Sequence, residues 1–167
     1  SYNPADLRAF ARAAGGSPER RPEAFDQWRR DQVVGLTARI RREAAQIRAK
    51  PALAFSSAVV GDYSGRGLSV YFQDAHRMLE VGALDMIMPM LYTDDDAELG
   101  RRLDDHIGRR RKGRVVAGLM PAKVDPAGLR RQIELCRRKG ADGVALFDYT
   151  KLFPKHEAGP HVAALPW

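Results

Sequence analysis

A single cysteine, Cys136, among 167 residues excludes an intrachain disulfide; beside Leu135 at a helical position it reads as a buried, inert thiol. Long apolar runs are also missing. None approaches the ~20 residues of a membrane-spanning helix, so no membrane span is expected. The four histidines, His76, His106, His156 and His161, are scattered over helices and the tail. With one cysteine they make no metal-ligand spacing, so neither a metal nor a cofactor is expected. No Gly-x-Ser-x-Gly elbow supports a serine triad. The glycine-rich stretch from Gly61 to Gly67 lacks the closing Gly-Lys-Ser/Thr of a phosphate loop and has no dinucleotide spacing. No signal peptide is visible at Ser1-Tyr2-Asn3-Pro4, and the lack of an initiator methionine is expected of a trimmed piece of a longer protein.

Acidic charge is in the minority: 28 Lys and Arg face 21 Asp and Glu, a net charge of +7. Such a balance invites nucleic acid as a partner. The arginines, however, fall in separate clusters, among them Arg29-Arg30, Arg39-Ile40-Arg41-Arg42 and Arg109-Arg110-Arg111, interleaved with acids. No aromatic-rich basic strand accompanies them as a stacking platform would require, so no nucleic acid partner is expected.

What is present is a repeated plan. Asp85-Met86-Ile87-Met88-Pro89-Met90-Leu91-Tyr92 is an apolar run without alternation, ending at an aromatic and then Thr93-Asp94-Asp95-Asp96. A strand buried on both faces reads this way and belongs to a parallel sheet covered by helices. Similar runs with polar or aromatic tips fall at 52–60, 115–122 and 143–149. Helical patterns lie between them, at 70–81, 97–111 and 126–138, and two more come first, from Pro4 to about Ala13 and from Pro22 to about Ala49. On the long second helix Phe25, Trp28, Val33, Leu36, Ile40, Ala44 and Ile47 form the expected core stripe. The order is helix, helix, then strand and helix repeated at roughly thirty-residue spacing, which is that of right-handed βαβ units. The fold class expected is α/β in one domain over 1–167, with four parallel strands making half of a TIM (β/α)8 barrel.

In parallel α/β folds ligands bind at the carboxyl edge of the sheet, so function is to be read at the strand tips. Those tips offer Asp62 and Tyr63, Tyr92 with Asp94, Met120 with Lys123, and Asp148 with Tyr149. Aromatic faces stack on the C–H surface of sugar rings, while carboxylates and hydroxyls bond sugar oxygens, so a carbohydrate suits this edge better than a phosphate. Asp148 and Asp62 are the candidate catalytic carboxylates; Tyr92, Tyr63, Asp94, Lys123, Tyr149 and Met120 are candidates for substrate binding. Each has a plainer alternative: Asp148 a strand-end cap, Asp62 a turn former, Asp94 one of an N-cap cluster, Lys123 a solvated cation.

Phe25-x-x-Trp28-Arg29-Arg30-Asp31-x-Val33, Leu84-Asp85-x-Ile87-x-Pro89-x-x-Tyr92, Gly118-Leu119, Arg131-Gln132-Ile133 and Gly143-Val144-Ala145-Leu146-Phe147 together resemble glycosyl-hydrolase-like family 10, secreted bacterial TIM-barrel proteins. The resemblance covers nearly the whole chain but only the C-terminal half of that family's barrel. It implies a glycoside hydrolase acting on a bacterial polysaccharide or cell-wall glycan, outside the cell or in the envelope. It also implies that an acidic residue at the end of the family's fourth strand lies upstream of this sequence. Met88, Met90 and Leu91 stand where the family carries polar residues or Trp, which makes the expected pocket more apolar. The other reading is a non-catalytic half-barrel that binds glycan or assembles, by self-association or with a missing N-terminal half, through its open sheet edges.

Overall fold

The computed structural model describes residues 3–47, 53–163 and 165. Helix α1, Pro4–Ala14, opens with Asn3 accepting the Asp6 N–H, and ends at Gly15 in the left-handed region. Helix α2, Pro22–Ile47, follows. Phe10 of α1 meets Phe25 of α2 edge-on at 5.0 Å, and Trp28 stacks on Phe25 at 5.8 Å. The aromatic anchors expected on α2 therefore hold α1 in place.

Four strands then alternate with helices: β1 Ser56–Val60, α3 Ala75–Glu80, β2 Met86–Met90, α4 Asp96–Arg109, β3 Arg114–Leu119, α5 Pro126–Arg138 and β4 Gly143–Leu146. Short turns α6, Tyr149–Leu152, and α7, Pro160–Ala163, close the described chain. The sheet is all parallel in the order β1-β2-β3-β4. The α/β class and the sequential parallel order agree with the repeated plan in the sequence.

Alternation along the strands sorts the two faces of this sheet. Val59, Ile87, Pro89, Val115, Ala117 and Leu119 share one face and are buried, with Leu99, Leu103, Leu129 and Cys136 from α4 and α5 in the same core. The alternate positions are less covered. Ala58 is exposed, Met86, Met88 and Val116 are half-buried, and Met90 is 37% exposed.

One strand-start device occurs twice. Asp85 precedes β2, donates its N–H to Phe55 O at 2.8 Å and accepts the Phe55 N–H on Oδ2 at 2.8 Å. Asp142 precedes β4 and does the same with Val115, at 2.8 Å in each direction. Each carboxylate also meets an arginine, Arg41 and Arg110 respectively. Neighbouring strands are thereby pinned in register at their amino ends.

Some element bounds differ from expectation. β1 ends at Val60 as expected, whereas β2, β3 and β4 stop earlier, at Met90, Leu119 and Leu146, because the chain turns as soon as the sheet's carboxyl edge is reached. The start expected for β1 at 52 and the end expected for α2 at Ala49 lie outside the described residues. The helix expected over 70–81 begins only at Ala75, capped by Asp74, since Tyr63–Gly67 forms a π-type turn and Phe72 takes φ 52. On α2 the stripe is shifted: Phe25 and Val34 are buried, whereas Leu36, Ile40 and Ile47 are 59%, 53% and 88% exposed.

Candidate functional site

The carboxyl ends of β1 and β2 lie side by side, because Val60 pairs with Met90. Beyond them Gly61-Asp62 and Leu91-Tyr92 leave the sheet, and the space between these tips is a cleft of about 510 Å³. Asp62 and Tyr92, two of the residues singled out in the sequence, both line it. Val33, Val60 and Met90 form its apolar side, while Tyr71, Gln73, Arg66 and Arg102 add polar groups.

The cleft's polar groups are held from behind. Gln73 accepts the Val60 N–H on Oε1 at 2.8 Å, which fixes its amide. Asp62 caps its own turn, accepting the Gly65 N–H on Oδ1 at 3.2 Å. Arg102 donates to Glu98 Oε1 at 2.7 Å, and Glu98 Oε2 accepts the Thr93 hydroxyl at 2.8 Å. Burial raises the Tyr92 phenol above its ordinary pKa, and its ring stacks on Phe147 at 5.8 Å with 19° between planes. The aromatic wall thus runs from the β2 tip to the β4 tip, where Phe147 is 52% exposed.

The remaining sequence candidates are placed elsewhere. Tyr63 is buried and turned away from the cleft: its hydroxyl donates to Asp74 Oδ1 at 2.7 Å, and burial followed by that carboxylate pushes its pKa up. Asp148 serves as a cap, accepting the Thr150 N–H at 2.9 Å; the Thr150 side-chain hydrogen bond foremost holds its carboxyl below the ordinary range. Tyr149 is exposed and stacks on Phe153 at 4.7 Å. Met120 is half-buried at the start of a turn that ends in the exposed Lys123. Asp94 is exposed, and its neighbour Asp95 is the residue that caps α4 by accepting the Ala97 and Glu98 N–H groups. The cleft therefore unites Asp62 and Tyr92 and omits Tyr63, Asp94, Met120, Lys123, Asp148 and Tyr149.

A buried pair of histidines, which sequence spacing did not connect, stands behind the β1 tip. His106 Nε2 lies 3.2 Å from Gly61 O, and His106 Nδ1 lies 3.2 Å from His76 Nε2. A carbonyl only accepts, so His106 carries its proton on Nε2 and His76 donates from Nε2 to His106 Nδ1. His76 Nδ1 is then an acceptor, and it is buried without a partner among the described residues. Burial, then the neighbouring imidazole, lowers the His76 pKa to about 4; burial lowers that of His106 despite the Gly61 carbonyl. Both rings are therefore neutral near pH 7.

Chemically, the cleft offers one carboxylate, two guanidiniums, a fixed amide, two phenols and an apolar side. No group of three or more His, Cys, Asp or Glu among the described residues is placed to hold a metal ion. No helix of the described residues is long and apolar enough to cross a membrane. Comparison with family models, with curated proteins and with solved structures gave no match.

Proposed function

We propose that this chain is a carbohydrate-binding unit of glycoside-hydrolase-like type, the C-terminal half of a (β/α)8 barrel, which holds a bacterial polysaccharide or cell-wall glycan outside the cell or in its envelope. The observation that carries this reading is the shared cleft of Asp62 and Tyr92 at the carboxyl ends of β1 and β2. A phenol ring beside an apolar side suits the C–H face of a sugar. Asp62 and the fixed amide of Gln73 supply an acceptor and donors for its hydroxyls.

Ordinary glycoside hydrolysis needs two carboxylates flanking the scissile bond. Among the described residues Asp62 is the one carboxylate lining the cleft, and Asp148 is engaged as a cap. Binding is thus the activity proposed for this chain by itself. Hydrolysis is proposed only where a second acid is supplied from outside this sequence. Titration of the protein with oligosaccharides, read by calorimetry and by release of reducing ends, tests both points. Saturable binding weakened by Tyr92→Ala, with no new reducing ends, is the expected result; absence of binding to any oligosaccharide would sink the reading.

Assembly is a second reading, favoured by the exposed apolar row Leu36, Ile40 and Ile47 on α2 and the thinly covered sheet face at Met90. A parallel sheet is ordinarily covered on both faces. Analytical ultracentrifugation decides it: a mass that rises with concentration supports assembly, and a monomer at all concentrations removes it.

A further inference from the structure

The carbohydrate reading leaves one feature of the cleft unused, its pair of arginines. Arg66 projects from the turn after β1, and Arg102 from the second turn of α4. Both line the same cleft as Asp62. Neither comes from a basic run that a solvated helix face would explain for both, since they lie on different elements 36 positions apart in the sequence.

Each guanidinium is oriented yet retains donors. Arg102 is held by Glu98 at 2.7 Å, and Glu98 is itself fixed by Thr93. Arg66 donates from Nη2 to the Tyr71 hydroxyl at 3.1 Å, with its guanidinium carbon 5.4 Å from the centre of that ring. A guanidinium has five N–H donors, so one such bond leaves four for a ligand. A neutral sugar filling the cleft would take Arg66, held by the neutral Tyr71 hydroxyl, out of water and leave the spare donors of Arg102, already paired with Glu98, to be met by hydroxyls alone, which is costly. An anionic group between them removes that cost and accepts charge-assisted hydrogen bonds. The chain's net charge of +7 also favours the approach of anions.

We propose that the cleft selects a saccharide bearing an anionic substituent, a carboxylate or a phosphate, bound by Arg66 and Arg102 while Asp62 accepts hydroxyls of the same ring. This rests on the carbohydrate reading of the same cleft and names the class of sugar. Gln73, fixed by Val60, supplies further donors on the same side. Asp62, in turn, disfavours placing the anion at the β1 tip, so the charged substituent points toward the arginines and the hydroxyls toward Asp62.

The test is calorimetric or NMR titration of the whole chain at low salt with matched ligands. These are glucose, glucuronate and glucose 6-phosphate, then cellotetraose against the β-1,4-linked tetraglucuronate. The expected result is that an acidic ligand binds about tenfold or more tightly than its neutral match, the scale of one charge-assisted hydrogen bond. That preference is lost in Arg66→Gln and Arg102→Gln and fades as salt is raised. Glucuronate and glucose 6-phosphate distinguish carboxylate from phosphate. Arg66→Gln lies on an exposed turn, so its loss of preference cannot be assigned to unfolding; a circular dichroism melt of each variant verifies this. Equal binding of neutral and acidic ligands, or a preference that survives both variants, overturns the anionic inference and leaves the carbohydrate reading standing. Failure of every saccharide, neutral or acidic, overturns both.

Discussion

His76 donates to His106 across 3.2 Å in the interior, and His106 passes the constraint on by holding the Gly61 carbonyl at 3.2 Å. Two residues 30 apart in sequence thus fix the point at which the chain leaves β1 for Asp62 and the cleft. The pair works only while both rings are neutral. A proton added to either ring would charge a group with little access to water.

That relationship predicts a pH dependence of stability. His76 has a folded pKa of about 4, against 6.5 for the free group, and His106 is lowered too. Between these values the unfolded chain binds more protons than the folded one, so stability falls as pH falls from about 6.5 to about 4. The paired carboxylates do not act in that window. Asp85, lowered chiefly by the Arg41 hydrogen bond, contributes stability that is lost only below the ordinary carboxylate value of 3.8. Denaturant titrations from pH 7 to pH 4 are expected to show a loss on the order of 3 kcal/mol. His76→Met should flatten the slope. A slope unchanged in that variant would remove His76 as its source.

Gly61→Ala should be among the most damaging small substitutions. A Cβ at this position would fall 2.2 Å from Met90 O and 2.8 Å from Met90 C, both backbone atoms of the neighbouring strand. No side-chain rotation relieves that contact, so β1 and β2 must part at the mouth of the cleft. A cost of about 2–3 kcal/mol is expected, the upper range of overpacking changes. Urea denaturation measures it, and Gly35→Ala, where a Cβ meets nothing within 4 Å, is the control.

Asp85 and Arg41 make a two-pronged ion pair, 2.8 Å and 3.0 Å, but removal of each should cost differently. Arg41→Ala breaks a half-exposed pair and leaves Asp85 with the Phe55 N–H, for a cost of about 0.5–1 kcal/mol. Asp85→Ala also orphans that half-buried N–H, which raises the cost to about 1–3 kcal/mol. Thermal or chemical denaturation of the two variants should therefore rank Asp85→Ala as the worse. Equal losses would mean that the strand clamp contributes nothing beyond the ion pair.

The sheet and its order were legible because their signals are local. An apolar run without alternation, a polar tip and an Asn or Asp before a helix report on short stretches, and Asn3, Asp95 and Asp125 do cap α1, α4 and α5. Two misreadings have a common cause. On α2 the spacing of Leu36, Ile40 and Ile47 matches a core stripe as well as that of Phe25 and Val34 does, and only the tertiary partner decides which is covered. The apolar spacing of Ala75, Met78 and Leu79 extends back to Phe72, yet Gln73 is recruited by Val60 and Phe72 takes a positive φ, so the helix starts late. Of the site, Asp62 and Tyr92 were readable as strand tips. Arg66, Gln73, Arg102 and the histidine pair were not, because their placement depends on α4 and the π-type turn folding back over β1.

The cleft assignment makes its own ranking of variants. Asp62 lines the cleft and keeps an oxygen beyond the one that caps Gly65, so Asp62→Asn should weaken saccharide binding about tenfold or more, the loss of a charge-assisted hydrogen bond. Asp148 does not line the cleft and is held by Thr150, so Asp148→Asn should leave binding within about twofold and alter only the α6 cap. Tyr92→Ala removes a ring stacked on Phe147 and opens the aromatic wall, and should weaken binding without unfolding the sheet, since Tyr92 lies beyond the last paired residue of β2. Calorimetric titration of the three variants with one oligosaccharide ranks them. If Asp148→Asn proves the most damaging, the binding surface lies at the β4 tip around Phe147 and Tyr149, and the cleft between β1 and β2 is not the site.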